Sequence, residues 1–419
     1  MMKKVYLCID LKTFFASCEC SERHLDPFKT NLVVADPTRG NGALCLAITP
    51  QMKSMGIHNR CRIFEIPKGV EYITAMPRMH LYMEYSVRIY RIYCRYVSPD
   101  DIHVYSIDEC FIDITSYMHL YHKSAKEFAK MLMQAVFEDT HITATCGIGT
   151  NLYLAKVALD IISKHTKENI GILDEERYQK YLWHHLPITD FWHMGSGTAN
   201  HLLKLGVVDM HGITQIPEEI LYKEFGINAE YIIDHAWGRE PATIASIKKY
   251  RPKNESINNS QVLFSDYEYE DAILVVKEMV ELNVLRLVES RLVTNHISLY
   301  IGYSRTDGGG WAGGSRKLTV RTNSLSVLMD AFISIYHLKV QKGRLIRQIS
   351  ISFGDVLDEV YESYDLFSDI EALEEEKKLQ KAIVSIRHKY GKNAILKLMN
   401  KQEKATTEKR NTLIGGHNA

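Results

Sequence analysis

The chain has 419 residues, of which 46% are hydrophobic and 24% charged, and its 51 basic and 51 acidic residues cancel. That make-up excludes wholesale disorder and fibrous repeats, the length predicts two to four domains, and no apolar run reaches the roughly 18 residues of a membrane span. Asp10 and Lys12 cut the apolar N-terminal stretch before it can serve as a signal-peptide core, so a cytoplasmic protein is expected.

In chain order, residues 5–9 read as a short apolar strand and 11–79 as an insertion. Between His80 and Val97, Tyr82, Tyr85, Ile89, Tyr93 and Tyr96 recur at spacings of three and four, which predicts an amphipathic helix with its tyrosines in the core. Residues 102–107 and 110–114 read as strands, 124–138 as a helix and 142–148 as a strand. The resulting βαββαβ order is that of a ferredoxin-like sheet. Residues 171–241 read as short helices broken by glycine. Within them Met194-Gly195-Ser196-Gly197 forms a turn between two helices. Its backbone amides could hold a phosphate, and an ordinary helix corner fits the segment equally well.

Residues 242–256, with Lys248, Lys249, Arg251 and Lys253, read as a basic tether. A second βαββαβ order follows: strand 261–264, helix 271–289, strand 296–303, a glycine-rich loop 307–314, strand 317–321, helix 325–337 and strand 344–353. The loop lacks the Gly-Lys-Ser/Thr ending of a phosphate-binding loop and reads as a hairpin tip. From Asp355 to Glu376 there are ten acidic residues and no Lys or Arg, and a basic segment follows, so a peripheral tail is expected. All eight cysteines lie between Cys8 and Cys146, which suits buried thiols. Cys18 and Cys20 are the only close pair, with no second pair or His-x-x-x-His to complete a zinc site.

Asp10 ends a strand, where a carboxylate stands at the rim of a sheet. Asp108 and Glu109 are adjacent acids inside an apolar hairpin, and neighbours on a straight strand point to opposite faces. The pair therefore predicts a tight turn with both carboxylates at its tip. If the first strand and this hairpin are neighbours, Asp10, Asp108 and Glu109 meet. Three such anions repel unless a cation sits between them. Hard oxygen donors without His or Cys suit Mg²⁺, and two such ions serve in-line displacement at phosphorus; three unrelated surface acids are the alternative. After Asp10, the segment Leu11-Lys12-Thr13-Phe14-Phe15 would set amides and two aromatic rings beside a triphosphate. A ring under the sugar would exclude a 2′-hydroxyl, although such rings more often belong to a core.

Three blocks, 9–19 (IDLKTFFASCE), 106–113 (SIDECFID) and 147–156 (GIGTNLYLAK), together resemble the Y-family translesion DNA polymerases of the UmuC/DinB type. The likeness is greatest to the UmuC-like branch of Gram-positive bacteria, phages or plasmids, and it covers about residues 3–355. It implies an α+β, multidomain right-hand polymerase that performs translesion synthesis in DNA repair of the SOS type. Asp10, Asp108 and the Leu11 carbonyl would bind two Mg²⁺, with Glu109 completing the catalytic carboxylates. Thr13, Phe14 and Phe15 would line the nucleotide, with Phe15 as the steric gate, and Lys156 would meet the triphosphate. Residues 1–17 and 80–170 would be the palm, 18–79 the fingers, 171–241 a thumb whose helix-hairpin-helix brings Gly195 and Gly197 to DNA, 242–256 a linker, 257–355 the little finger and 356–419 a tail.

Two departures from the family pattern stand out. Lys53 occupies the place of the usual phosphate-binding Arg, and lysine offers a point charge without bidentate geometry; nearby Thr49 would be the hydroxyl donor. In the tail, Leu366 and Phe367 lie in a degenerate clamp-binding peptide over 363–367, with Ser363 where the family carries Gln. Primer-template DNA, a dNTP and a sliding clamp are the expected partners of a monomer. A palm-type nucleotidyl cyclase and a non-catalytic DNA-binding repair factor are the alternatives. The first needs no helix-hairpin-helix, and the intact Asp10, Asp108 and Glu109 speak against the second.

Overall fold

The computed structural model describes residues 4–252, 255–366 and 368–418, and the chain divides into two compact units, Met1–Tyr250 and Arg251–Ala419. In the first unit the strands are β1 (Tyr6–Leu11), β2 (Leu32–Val34), β3 (Ala47–Ile48), β4 (Ile73–Ala75), β5 (Ile102–Val104), β6 (Glu109–Asp113), β7 (Ala144–Gly149) and β8 (Ile170–Leu173). The main sheet has the order β5-β6-β1-β7-β8, so the first strand lies between the hairpin and β7, as a ferredoxin-like layout requires. The fifth strand, β8, runs parallel to β7.

The period-two alternation of β1 builds both sides of the sheet. Leu7, Ile9 and Leu11 join Tyr82, Ile89, Ile92, Phe128 and Leu132 from the helices Met79–Tyr93 and Ala125–Thr140. Each large side chain fully buried there stabilises the fold by about 1.5–3 kcal/mol. The second helix starts where Ser124 and Glu127 form a reciprocal capping box. Tyr6 and Cys8 point the other way, with Phe111, Leu152, Ala155 and Leu159.

Several boundaries differ from those read in the sequence. The helix Phe14–Glu22 spans the expected border at 17/18, and its Phe14, Ala16 and Cys18 belong to the main core. The small sheet β3-β2-β4 beyond it has its own core around Val33, Cys45, Ile48 and Met52. β8 likewise spans the border at 170/171. The supposed tether contains the helix Ile244–Lys249, capped by Thr243, and its Ile244 is buried against Tyr6, Cys8 and Phe111. A basic stretch reads as solvated, but its apolar residues fasten this one to the sheet.

The second unit contains β9 (Glu255–Tyr267), β10 (Leu292–Tyr303), β11 (Trp311–Thr322) and β12 (Ile346–Asp358), with the helices Tyr269–Ser290 and Leu325–Lys339. The sheet order is β11-β10-β12-β9, antiparallel throughout. Here the first strand is at an edge, unlike the first unit. The tail is not peripheral: the helix Ile370–Tyr390 packs on Tyr269–Ser290. Residues 400–407 also close over Glu278 of that helix, which is 1% exposed.

Candidate active site

Asp10 lies directly opposite Glu109 in the β1–β6 register. Asp108 occupies the bend before β6, where the Ser106 hydroxyl donates to its carboxylate at 2.6 Å and the Leu11 N–H donates to its carbonyl at 3.0 Å. The turn expected from the adjacent acids is present, and it brings all three carboxylates to one end of the sheet. Burial, then the anions of Asp108 and Glu109, push the Asp10 carboxyl up to about 7 from its ordinary 3.8. Burial is the larger cause, and the two neighbouring anions add to it.

One cation offsets part of that charge. Lys156 Nζ lies 2.8 Å from the Glu109 carboxylate and 3.2 Å from Asp160. Burial pulls Lys156 down, but Glu109, Cys8 and Asp160 more than reverse this and keep the ammonium protonated above its usual value. The Cys8 thiol donates to the same Glu109 carboxylate at 3.0 Å. Two glycines bring the lysine here. A Cβ on Gly149 would lie 2.2 Å from the Ala155 nitrogen, and one on Gly147 2.0 Å from the Ala155 oxygen. Only bare backbone lets the helix Leu152–Val157 rest on β7. Asn151 caps that helix at the Leu154 N–H and donates to the Gly238 carbonyl. The helix then widens into a π turn over Ala158–Ile162, which carries Asp160.

On the other side, Thr13 adopts a left-handed conformation (φ 47°), unusual for a β-branched residue. It precedes the helix Phe14–Glu22 without capping it through its side chain, so the first-turn amides have no side-chain acceptor from that residue. Phe15 is half-buried and stacks on Tyr82, with ring centroids 4.6 Å apart. Tyr82 donates its hydroxyl to Glu19, which is fully buried and also held by Arg78 and Arg23. Glu19 thereby fixes the ring against which Phe15 rests. This bracing has no local signature, because Arg78 and Tyr82 lie 59 and 63 residues away from Glu19.

Other candidates fall elsewhere. Phe14 is 3% exposed and belongs to the core, so its ring cannot line a nucleotide. Thr49 is fully buried; its hydroxyl donates to the Thr30 carbonyl and accepts from the Leu32 N–H, which leaves nothing to reach a phosphate. Lys53, on the helix Pro50–Ser54, is lowered by burial while the Asp10 anion acts to raise it, so it lies within electrostatic reach of Asp10. Lys12 reaches Asn169 at 2.6 Å. Gly195 and Gly197 are exposed at the start of the helix Ser196–Lys204, and a Cβ at either would meet nothing within 4 Å. Neither the local backbone nor packing demands glycine there. Leu366 is 99% exposed, and Phe367 lies outside the described residues.

Comparison with known proteins agrees with this geometry. A sequence model of the impB/mucB/samB family matches residues 9–160. Over its 419 aligned residues the chain is 31% identical to the "Putative UV-damage repair protein UvrX" of Bacillus subtilis (strain 168), covering 99% of this chain and 98% of that protein. The chain belongs to the Y-family DNA polymerases. Another similar Y-family protein is "DNA polymerase IV 2" of the same organism, 27% identical over 100% of this chain and 99% of its own. The solved "Y-family DNA polymerase chimera Dbh-Dpo4(243-245)-Dbh" shares the fold, with a TM-score of 0.63 at 19% identity over 84% of this chain and 99% of that one. Family membership makes the protein a DNA-directed DNA polymerase of the DNA-repair class.

Proposed function

We propose that the chain extends a primer across damaged template by attack of the primer 3′-hydroxyl on the α-phosphate of a dNTP, with Asp10, Asp108 and Glu109 as the catalytic carboxylates. The observation that carries this is the meeting of three acids at one end of the sheet: Asp10 opposite Glu109 in the β1–β6 register, and Asp108 at the bend beside Leu11. Hard oxygen donors with an excess of negative charge fit Mg²⁺, and these three side chains with the Leu11 carbonyl would hold two ions. When bound, they would supply Lewis acidity at the attacking and leaving oxygens.

The chain's own residues do the rest. Phe15, braced by Tyr82 and Glu19, excludes a 2′-hydroxyl by sterics. The helix beginning at Phe14 offers amides to the phosphates. Lys156, the countercharge of Glu109 in this structure, and Lys53 serve the triphosphate as point charges. Residues 4–22 and 79–173 form the palm, the sheet β3-β2-β4 the fingers, 175–236 the thumb that sets Gly195 and Gly197 on the DNA backbone, and 255–358 the little finger. The helix Ile244–Lys249 is part of the palm. Exposed Leu366 anchors a sliding-clamp contact with Phe367. The protein acts as a monomer in the cytoplasm, and no described helix is long and apolar enough to cross a membrane.

The test is primer extension with Mg²⁺ on intact and abasic templates. Wild type is expected to extend both and to reject ribonucleotides. Phe15→Ala should lose about 10²-fold of that sugar discrimination. Unchanged discrimination would remove Phe15 from the gate, and no extension on either template would remove the polymerase reading of this site.

A further inference from the structure

Away from the carboxylates, the helical region contains a second set of ligating side chains. His184, Asp209 and His211 each offer one atom, and these atoms lie within 4.8 Å of one another. His184 follows the helix Glu175–Leu182, Asp209 precedes the helix Met210–Thr214, and His211 lies on its first turn. The spacing hides them, because His184 and Asp209 are 25 residues apart.

The backbone holds the three together without help from the imidazoles. The His211 N–H donates to the Trp183 carbonyl at 3.1 Å, which joins the two segments next to the cluster. The Trp183 indole N–H donates to the Ala236 carbonyl at 2.8 Å, and its ring lies 5.0 Å from that of His211. One Asp209 oxygen accepts the Gly212 N–H at 2.7 Å, and the other is 2.8 Å from His184 Nδ1. The Gly212 N–H fixes the carboxylate through one oxygen, and the other already faces an imidazole nitrogen, so the two donors a metal would need point at one another. Burial opposes its charge, but the Gly212 N–H and the His184 ring overcome this and hold the Asp209 carboxyl below its usual range. The rings of His184 and His211 are 4.9 Å apart.

We propose that His184, Asp209 and His211 bind one Zn²⁺ ion in the thumb. Two imidazoles and one carboxylate are a donor set for zinc and a poor one for Mg²⁺, which prefers six oxygens in an octahedron. Tetrahedral bonds of about 2.0–2.1 Å set ligand atoms about 3.3 Å apart, so on binding the hydrogen-bonded Asp209–His184 pair, now 2.8 Å apart, would open around the ion while the wider separations, up to 4.8 Å, close. The fourth position stays open to water. The ion would cross-link the end of Glu175–Leu182 to Met210–Thr214 and so brace the region that carries Gly195 and Gly197. None of this depends on the polymerase reading.

The experiment titrates Zn²⁺ into metal-free full-length protein against a chromophoric chelator, with excess Mg²⁺ present to occupy the carboxylates. Wild type is expected to take one zinc equivalent that His184→Ala lacks. The exposed position of His184 makes that variant safe for the fold, and an unchanged zinc-free melting curve confirms it. Co²⁺ in place of zinc should give a tetrahedral visible band in wild type that is absent from His184→Ala and from Asp209→Asn. No zinc uptake, or equal uptake by wild type and His184→Ala, would overturn the proposal.

Discussion

Asp10 in the first unit and Glu278 in the second are both carboxylates drawn out of water, and their surroundings differ in kind. Asp10 stands beside two other acids. Glu278 is 1% exposed, and each of its oxygens accepts two hydrogen bonds: Asn400 and the Thr407 N–H on one, the Thr406 N–H and hydroxyl on the other. A buried charge with its donors in place holds structure together. A charge crowded by its own kind costs stability and marks a place where something else is meant to bind.

That contrast can be broken in order of expected effect. Asp108→Ala should lower primer extension by on the order of 10³-fold or more, while thermal stability and primer-template binding persist. Glu278→Ala should do the reverse: extension per folded molecule survives, and urea unfolding shows a loss of about 3 kcal/mol, since the tail's donors are left unpaired. Equal loss of both properties in both variants would erase the distinction. Gly149→Ala tests the mount of Lys156 and should cost about 1–3 kcal/mol by overpacking, with reduced extension. Gly195→Ala, with open space around it, should leave stability within about 0.5 kcal/mol.

A separate test concerns pH. Folding raises the Asp10 carboxyl from 3.8 to about 7. Between those values the folded protein binds more protons than the unfolded chain, so stability falls as pH rises and levels off above about 7. Without metal, Tm should decline from about pH 5 to 7. Asp10→Asn should flatten the decline, and Mg²⁺ should reduce it. A wild-type Tm that rises over that range would contradict the crowding at Asp10.

Much of the acid cluster was legible because it rests on local rules. The alternation of β1 faces Asp10 away from Leu7 and Ile9, and two adjacent acids in an apolar hairpin demand a turn. The order of both βαββαβ units followed from periodicity, but the different strand order of the second did not, since nothing local says which edge a strand joins. What escaped notice depends on distant partners. Thr49 looks like a free hydroxyl until the Thr30 carbonyl and the Leu32 N–H take it. Phe14 and Phe15 are neighbours in sequence, and only the helix they open decides which enters the core. The tail's acidic run and the basic segment after it suggested a peripheral tail, whereas Asn400 and Thr406 are held by a glutamate more than a hundred residues earlier.

The Cys8 thiol that donates to Glu109 bears on how this protein meets oxidants. The thiolate is the form that peroxides attack. Burial, then the neighbouring Glu109 anion, raises Cys8 well above its ordinary value, so the sulfur remains a protonated, enclosed thiol. Peroxides would find no reactive sulfur at Cys8, so the end of the sheet where the three acids meet should not lose its thiol to oxidation.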